Sequence, residues 1–126
     1  MAARQKYVMH EEEADLQELV GRSYKLIVGS RRLPCRAMNG GVSLFPPHAH
    51  APGHVHEAEE EVIYCLEGRG EIMVESKPEP LRPGCFVVIP PNILHSINNT
   101  GEKTIKLIFL FSPPCKIGKY KDITSG

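Results

Sequence analysis

Two histidines one residue apart, His54 and His56, stand just ahead of a strand-forming run, and this arrangement limits the folds open to the chain. On an extended strand both side chains point to the same face, roughly 6 to 7 Å apart along it, so both imidazoles can reach one point. Residues 62–66 are apolar, β-branched and aromatic, which is typical of a strand. We therefore expect Glu61 to open a strand next to the histidine strand, and residues 68–70 to form a hairpin turn.

A third imidazole, His95, follows another apolar run and a turn sequence, Pro90, Pro91 and Asn92. Three neutral imidazoles and the carboxylate of Glu61 form a donor set that suits iron, manganese, nickel, cobalt, copper or zinc. Magnesium and calcium prefer shells of oxygen alone, so they do not fit this set. The sequence therefore predicts one divalent transition metal, on the condition that the fold brings these four side chains together.

The rest of the chain reads as many short strands separated by turns. We expect strands at residues 24–28, 71–75, 85–89, 95–98 and 105–111, and another at 35–45 that Asn39, Gly40 and Gly41 interrupt as a hairpin turn or a bulge. Residues 77–83 are predicted to be a proline-rich loop, and Leu16, Leu19 and Val20 to form one or two helical turns that end at Gly21. This pattern indicates an all-β antiparallel sandwich or barrel with at most a short N-terminal helix, and a closed barrel gives the four donors a common interior.

Length and composition limit the remaining possibilities. The 126 residues, 41% of them hydrophobic, predict one domain, with an N-terminal extension at 1–20, a barrel at 21–114 and a tail at 115–126. Fifteen basic residues balance fifteen acidic ones, so the charge favours neither nucleic acid nor an anionic membrane as a partner. The four cysteines form no C-x-x-C pair, and neither a signal segment nor a long apolar run is evident, so we expect a cytoplasmic protein with reduced thiols.

Two further expectations concern surfaces and loops. The strands at 62–66 and 105–111 are apolar on both faces, and a homodimer would cover the outer face. His48 and His50 lie among three prolines and a glycine, so we expect them on a loop at the mouth of the site. They are interpreted as surface residues, and replacement of a downstream ligand by His50 is the alternative.

Two segments resemble the paired motifs of the cupin superfamily. The first resembles H-x-H, a short spacer, Glu, six residues and Gly, carried here by His54, His56, Glu61 and Gly68. The second resembles Gly, five residues, P-x-G, two residues, His, three residues and Asn, carried by Gly84, Pro90, Asn92, His95 and Asn99. Asn92 stands where the family usually has Gly, which Asn can replace because it tolerates a left-handed turn. His48 stands where the family usually has a glycine ahead of the first motif, and Cys85 stands where many members have Asp.

The resemblance implies a jelly-roll β-barrel of the small single-domain type, a divalent metal inside it, and frequent dimers. Carried over residue by residue, it implies the metal ligands His54, His56, Glu61 and His95. Glu61 is also the candidate catalytic residue, either as a permanent ligand or as a general base that leaves the metal.

Two classes of function remain open from the sequence. One is a metal-dependent enzyme acting on a small oxygenated molecule, as a dioxygenase or as an isomerase, lyase or decarboxylase. The other is a non-catalytic barrel that binds a sugar or an organic acid and holds a structural metal. The chain is short for a regulator with an output domain, which favours the enzyme, but fold and metal do not name the reaction.

Overall fold

The structure, a computed structural model, describes residues 6–117 and 121–123. A single 3₁₀ turn, Glu11–Glu13, is followed by antiparallel strands throughout these residues, which confirms the all-β prediction. The strands are β1 (Gln17–Leu19), β2 (Arg22–Val28), β3 (Asn39–Phe45), β4 (Gly53–Val55), β5 (Glu60–Glu67), β6 (Gly70–Val74), β7 (Lys77–Leu81), β8 (Phe86–Ile89), β9 (His95–Asn98), β10 (Ile105–Ser112) and β11 (Lys121–Ile123).

The strands form two sheets that share one core. The first sheet has the order β1-β2-β3-β10-β5-β8 and the second the order β11-β4-β9-β6-β7. Ile63 and Leu107 of the first sheet and Ile72 and Ile97 of the second belong to the same buried cluster. In β10 every second residue is buried, beginning with Ile105, as expected for a strand whose inner face packs on the core. The two sheets therefore enclose an interior, as in a jelly-roll barrel.

The connection after the first motif differs from the prediction. Gly68 does adopt a positive φ of 85°. However, β5 lies in the first sheet and β6 in the second, so residues 68–70 carry the chain between the sheets and the predicted hairpin is wrong. Likewise β5 pairs with β10 and β8, whereas β4 pairs with β9 and β11. Glu61 therefore reaches the histidines from the opposite sheet and not from a neighbouring strand.

Two other local predictions are corrected. Residues 17–19 form β1, an edge strand paired with β2, so the predicted helical turns at 16–20 are wrong; pairing with a neighbouring strand outweighs a weak helical spacing. Strand β3 begins at Asn39 and runs without interruption through Gly40 and Gly41. The register shift opposite them falls between Leu26 and Val28, so the bulge lies in β2. A Cβ atom on Gly40 would overlap the carbonyl oxygen of Phe109, which explains a glycine inside this strand.

The proline-rich segment is a strand rather than a loop. Lys77–Leu81 forms β7 at the edge of the second sheet, where β6 is its one partner among the described strands. Pro78 and Pro80 are two residues apart, so both would direct their missing N–H groups to the same side of the strand. An edge strand has one side without a neighbour, and prolines are tolerated there.

The outer face of the first sheet carries an apolar strip at its β5–β8 edge. We call Val62, Leu66, Phe86 and Val88 the edge strip; Phe86 is 76% exposed and Val88 58%. Val62 and Leu66 match the expectation that the strand at 62–66 is apolar on both faces, whereas Phe86 and Val88 of β8 extend the strip beyond the strands for which this was predicted; the homodimer remains a prediction. Strands β1 and β11 add to the sheets from outside residues 21–114. Among the described residues, no helix has the length and apolar character needed to cross a membrane.

Candidate metal centre

The four predicted donor residues come together in the interior between the two sheets. His54 lies in β4 and is the direct cross-strand partner of His95, the first residue of β9. His56 follows the end of β4, and Glu61 enters from β5 of the other sheet. One ligand atom from each of the four lies within 4.8 Å of the others. We call these four residues the quartet.

The distances within the quartet are short and its members are well buried. The Nε2 atom of His95 is 3.1 Å from Oε1 of Glu61, and Nε2 of His56 is 3.6 Å from the same oxygen. The ring centroids of His54 and His95 are 4.3 Å apart. His56 and His95 are each 2% exposed and Glu61 is 6% exposed, while His54 is half-buried. The half-buried ring of His54 therefore faces the more open side of the quartet.

Backbone geometry in the second motif fixes the position of His95 at the start of β9. Asn92 has a φ of 65°, and its N–H donates to the carbonyl of His56 at 2.8 Å, so this turn is tied to the first motif. Asn99 is fully buried, and its side-chain amide donates to the carbonyls of Phe45 and Lys103. The last residue of the motif therefore has a structural role, because it binds the connection after β9 to β3.

Each histidine of the quartet has a partner for its Nδ1 atom. Nδ1 of His95 lies 2.9 Å from the carbonyl oxygen of Ile93, and Nδ1 of His54 lies 3.3 Å from that of Pro52. A carbonyl oxygen only accepts, so these Nδ1 atoms carry the proton and the Nε2 lone pairs are available. In His95, Nε2 also faces an acceptor, the Glu61 carboxylate. A second proton or a metal ion on Nε2 satisfies that arrangement.

Burial and neighbouring charges set the protonation of the site. Burial, followed by the proximity of His95 and His56, lowers the pKa of His54 to about 3. For Glu61, burial acts to raise the pKa, but interactions with His56 and His95 outweigh it and lower the pKa to about 2. At neutral pH the site therefore contains an ionised carboxylate and a neutral His54, the forms in which both groups bind metals.

A cavity opens beside the quartet, and its lining includes residues that sequence reasoning missed. The cavity has a volume of about 50 Å³, and most of the side chains that line it are apolar. The polar lining residues outside the quartet are Arg22, Tyr24 and Ser43. Arg22 and Tyr24 are two residues apart in β2, so a strand placed from residue 22 would have put both on the inner face. The strand predicted from the sequence spans residues 24–28 and does not include Arg22.

A second group of donor atoms adjoins the quartet. His56, Glu59 and Cys115 have ligand atoms within 4.8 Å of one another, and Sγ of Cys115 is 3.7 Å from Nδ1 of His56. Burial, and then the charges of Glu59 and Glu61, raise the pKa of the Cys115 thiol to about 12. The sulfur is therefore a thiol at neutral pH. Cys115 is 59 residues from His56 in sequence, so spacing gave no sign of this contact.

The two upstream histidines lie on the connection between β3 and β4, and both are exposed. His48 has a φ of 62°, at the position where the first motif usually has glycine, and its Nε2 atom is 3.0 Å from Oε1 of Glu102. His50 forms an isolated backbone bridge with Asn98. Among the described residues, neither histidine belongs to the quartet.

Comparison with protein families decides the classification. A family model described as a cupin domain matches residues 41–111, which include both motifs and the whole quartet. The chain belongs to the cupin family. Cupins commonly bind a divalent metal, and this cupin has a cluster of histidine and glutamate donors in its interior.

Three proteins illustrate what this cupin resembles. It is 33% identical over 73 residues to Protein SchB of Streptomyces halstedii, which covers 58% of this chain and 53% of SchB. It is 33% identical over 60 residues to quercetin 2,3-dioxygenase of Bacillus subtilis, covering 48% of this chain and 18% of that protein. Ectoine synthase from P. lautus has a similar structure, with a TM-score of 0.76 at 17% identity, covering 96% of this chain and 92% of that one. The matched part of this cupin corresponds to about half the length of SchB.

The quartet of this cupin fits a first-row metal. With metal–nitrogen and metal–oxygen distances of about 2.1 Å, neighbouring donors lie about 3 Å apart and opposite donors about 4 Å apart. The separation of 3.1 Å between Nε2 of His95 and Oε1 of Glu61 agrees with the value for neighbouring donors. One ligand atom from each of the four residues lies within 4.8 Å of the others, so a small contraction brings all four to these distances. A metal ion bound at Nε2 of His95 would fit between that nitrogen and the Glu61 carboxylate while Nδ1–H donates to the carbonyl of Ile93.

Proposed function

We propose that this cupin is a metal-dependent enzyme that acts on a small oxygenated molecule, and that it is a dioxygenase. The observation that carries the proposal is the convergence of three imidazoles and a carboxylate beside a cavity with mostly apolar walls. The similarity to quercetin 2,3-dioxygenase favours oxygenation within the enzyme class.

The donor set selects the metal class. Nitrogen donors outnumber oxygen donors three to one, which favours iron, manganese, cobalt, nickel, copper or zinc. When bound, such an ion supplies Lewis acidity toward a chelating oxygen pair and, in its redox-active forms, a place for dioxygen. The protein's part is to hold His54, His56, Glu61 and His95 in the required positions.

Glu61 fits the role of a ligand better than that of a general base. Its pKa of about 2 keeps the carboxylate ionised at neutral pH, and a carboxylate with so low a pKa accepts protons weakly. Its position between His56 and His95 balances the charge that a divalent ion brings into the interior. We therefore assign to Glu61 the holding of the metal, and proton transfer by this side chain is not required.

The cavity determines what reaches the centre. Phe45, Phe109 and Phe111 contribute apolar walls, and apolar surroundings strengthen electrostatic interactions beside the quartet. Arg22, Tyr24 and Ser43 offer the polar contacts that orient a substrate. The limited volume favours a small molecule, or the end of a larger one, with adjacent oxygen atoms.

The proposal can be tested by turnover with defined metals. The protein is stripped with a chelator, loaded with one metal at a time, and supplied with flavonols, enediols, 2-oxo acids or dicarboxylic acids, with and without dioxygen. A dioxygenase consumes dioxygen and places both atoms of labelled dioxygen in the product, which mass spectrometry detects. We expect His95→Ala to abolish this reaction and the control His50→Gln to preserve it. Turnover that continues without dioxygen would identify the protein as an isomerase, lyase or decarboxylase. Binding of these compounds without turnover for every metal would contradict the proposal that the protein is an enzyme.

A further inference from the structure

We propose that Cys115 is a positioning residue of the metal centre, whose thiol sulfur accepts a hydrogen bond from Nδ1–H of His56 and so directs Nε2 of that ring toward the metal. This inference rests on the proposed metal centre. It adds a residue that neither cupin motif contains, and it assigns a function to the contact between residues 59 positions apart.

The contact completes a pattern among the three histidines. His54 and His95 each have Nδ1 next to a backbone carbonyl, at 3.3 and 2.9 Å, which fixes the ring orientation with Nε2 directed inward. Nδ1 of His56 has the sulfur of Cys115 at 3.7 Å, a suitable separation for an N–H···S hydrogen bond. In His56 a side chain therefore occupies the place that the main chain takes for the other two rings, and a single substitution can remove it.

Cys115 is held in place by a buried amide. The side chain of Asn39 donates from Nδ2 to the carbonyl of Cys115 at 2.7 Å, and its Oδ1 accepts from the N–H of Cys115 at 2.8 Å. Asn39 is 7% exposed and is the first residue of β3, so this pair of hydrogen bonds fastens the segment after β10 to the barrel. The sulfur is thereby located relative to the sheet that carries Glu61.

The His56 ring is also in contact with an aromatic side chain. Phe111 packs against it with ring centroids 4.6 Å apart and an interplanar angle of 62°. Phe111 limits the tilt of the imidazole, but it provides no acceptor for Nδ1–H. Packing and hydrogen bonding on this histidine can therefore be separated, because Phe111 supplies the first and Cys115 the second.

The alternative function of Cys115 is to bind a metal directly with His56 and Glu59. Such a metal would take Nδ1 of His56, the ring nitrogen that does not face Glu61. The two functions predict different spectra, because a thiolate ligand gives an intense sulfur-to-metal charge-transfer absorption with cobalt(II). A thiol that only accepts a hydrogen bond gives none.

The test compares Cys115→Ala, Cys115→Ser and Cys65→Ala with the wild type in the full chain. Cys65 is a matched control, because it is also a buried cysteine but its sulfur contacts the carbonyls of Glu67 and Gly68. Affinity for zinc or cobalt(II) is measured by competition with a chelator, and unfolding by urea is measured on the metal-free forms. Loss of a hydrogen-bond partner behind a metal-bound histidine costs about 10- to 100-fold in affinity.

We expect Cys115→Ala to lose about 10- to 100-fold in affinity. Cys115→Ser should recover most of that loss, because its hydroxyl oxygen is an acceptor, and Cys65→Ala should bind metal like the wild type whatever its effect on unfolding. Three results would each overturn the positioning role while leaving the quartet intact. They are an unchanged metal affinity in Cys115→Ala, equal losses of affinity in Cys115→Ala and Cys65→Ala, and a cobalt(II) charge-transfer band that Cys115→Ser removes. A wild type that binds neither metal would overturn the metal centre itself, and the positioning role with it.

Discussion

The depressed pKa of His54 makes the metal-free protein sensitive to mild acid. In the unfolded chain this imidazole has its ordinary pKa of 6.5, and in the folded protein burial and two neighbouring imidazoles lower the pKa to about 3. Between those values the unfolded state binds more protons than the folded state. The free energy of unfolding is therefore highest above pH 6.5 and falls as the pH drops toward 3.

The size of this loss in unfolding free energy follows from the pH range between the two pKa values of His54, which we call its titration window. Each pH unit inside it corresponds to about 1.4 kcal/mol, so lowering the pH from 6.5 to about 5 removes about 2 kcal/mol through His54 alone. Stopping at about pH 5 keeps the measurement above the window of Glu61, whose pKa is lowered from 4.5 to about 2. The effect of the histidine can thus be measured with little contribution from the carboxylate.

The assay is urea unfolding in the presence of EDTA at about pH 7.5 and about pH 5. The loss of unfolding free energy between the two pH values is compared for the wild type, His54→Gln and the exposed control His50→Gln. We expect the loss in His54→Gln to be smaller than in the wild type by about 2 kcal/mol, and the loss in His50→Gln to match the wild type. Equal losses in all three proteins would refute the reasoning.

Three further predictions concern the metal, the packing of β3 and the edge strip. Metal at about 100 times its dissociation constant should raise the unfolding free energy by about 2.7 kcal/mol, and a chelator should reverse the gain; no change would argue against binding to the folded state. Gly40→Ala should destabilise the fold by at least about 2 kcal/mol, because its methyl group meets the carbonyl of Phe109, while Gly101→Ala should cost less. Phe86→Asp should convert the expected homodimer to a monomer, as measured by light scattering. Val20→Asp should leave the dimer unchanged, because Val20 is 70% exposed but lies outside the edge strip. A monomeric wild type would contradict the dimer.

The sequence predicted the strands that carry the donors, because their signals are local. The apolar runs at 62–66 and 86–89 lie within β5 and β8, and the turn at Asn92 has the left-handed φ that its position in the second motif requires. The separation of His54 and His56 by one residue placed both on one face of an extended segment. These features depend on a few consecutive residues, so they can be read without knowledge of the fold.

The features that were missed depend on pairing between distant segments. Spacing alone could not show that β5 and β6 lie in different sheets, since a short connection containing glycine serves a hairpin or a crossing equally well. The prolines at 78 and 80 predict a loop at 77–81, because a strand tolerates proline only at the edge of a sheet and the sequence does not show which strands are edges. Cys115 meets His56 where Asn39 fastens the segment after β10 to the start of β3. None of these contacts leaves a periodic signal in the sequence.

The central claim is that His54, His56, Glu61 and His95 hold one divalent transition metal. Elemental analysis of protein purified without added metal, for the wild type, His54→Ala, His95→Ala and His10→Ala, tests it most directly. We expect about one equivalent of a first-row transition metal in the wild type and in His10→Ala, whose side chain lies at the 3₁₀ turn away from the quartet, and strongly reduced metal in the other two variants. Equal metal content in all four proteins would contradict the account.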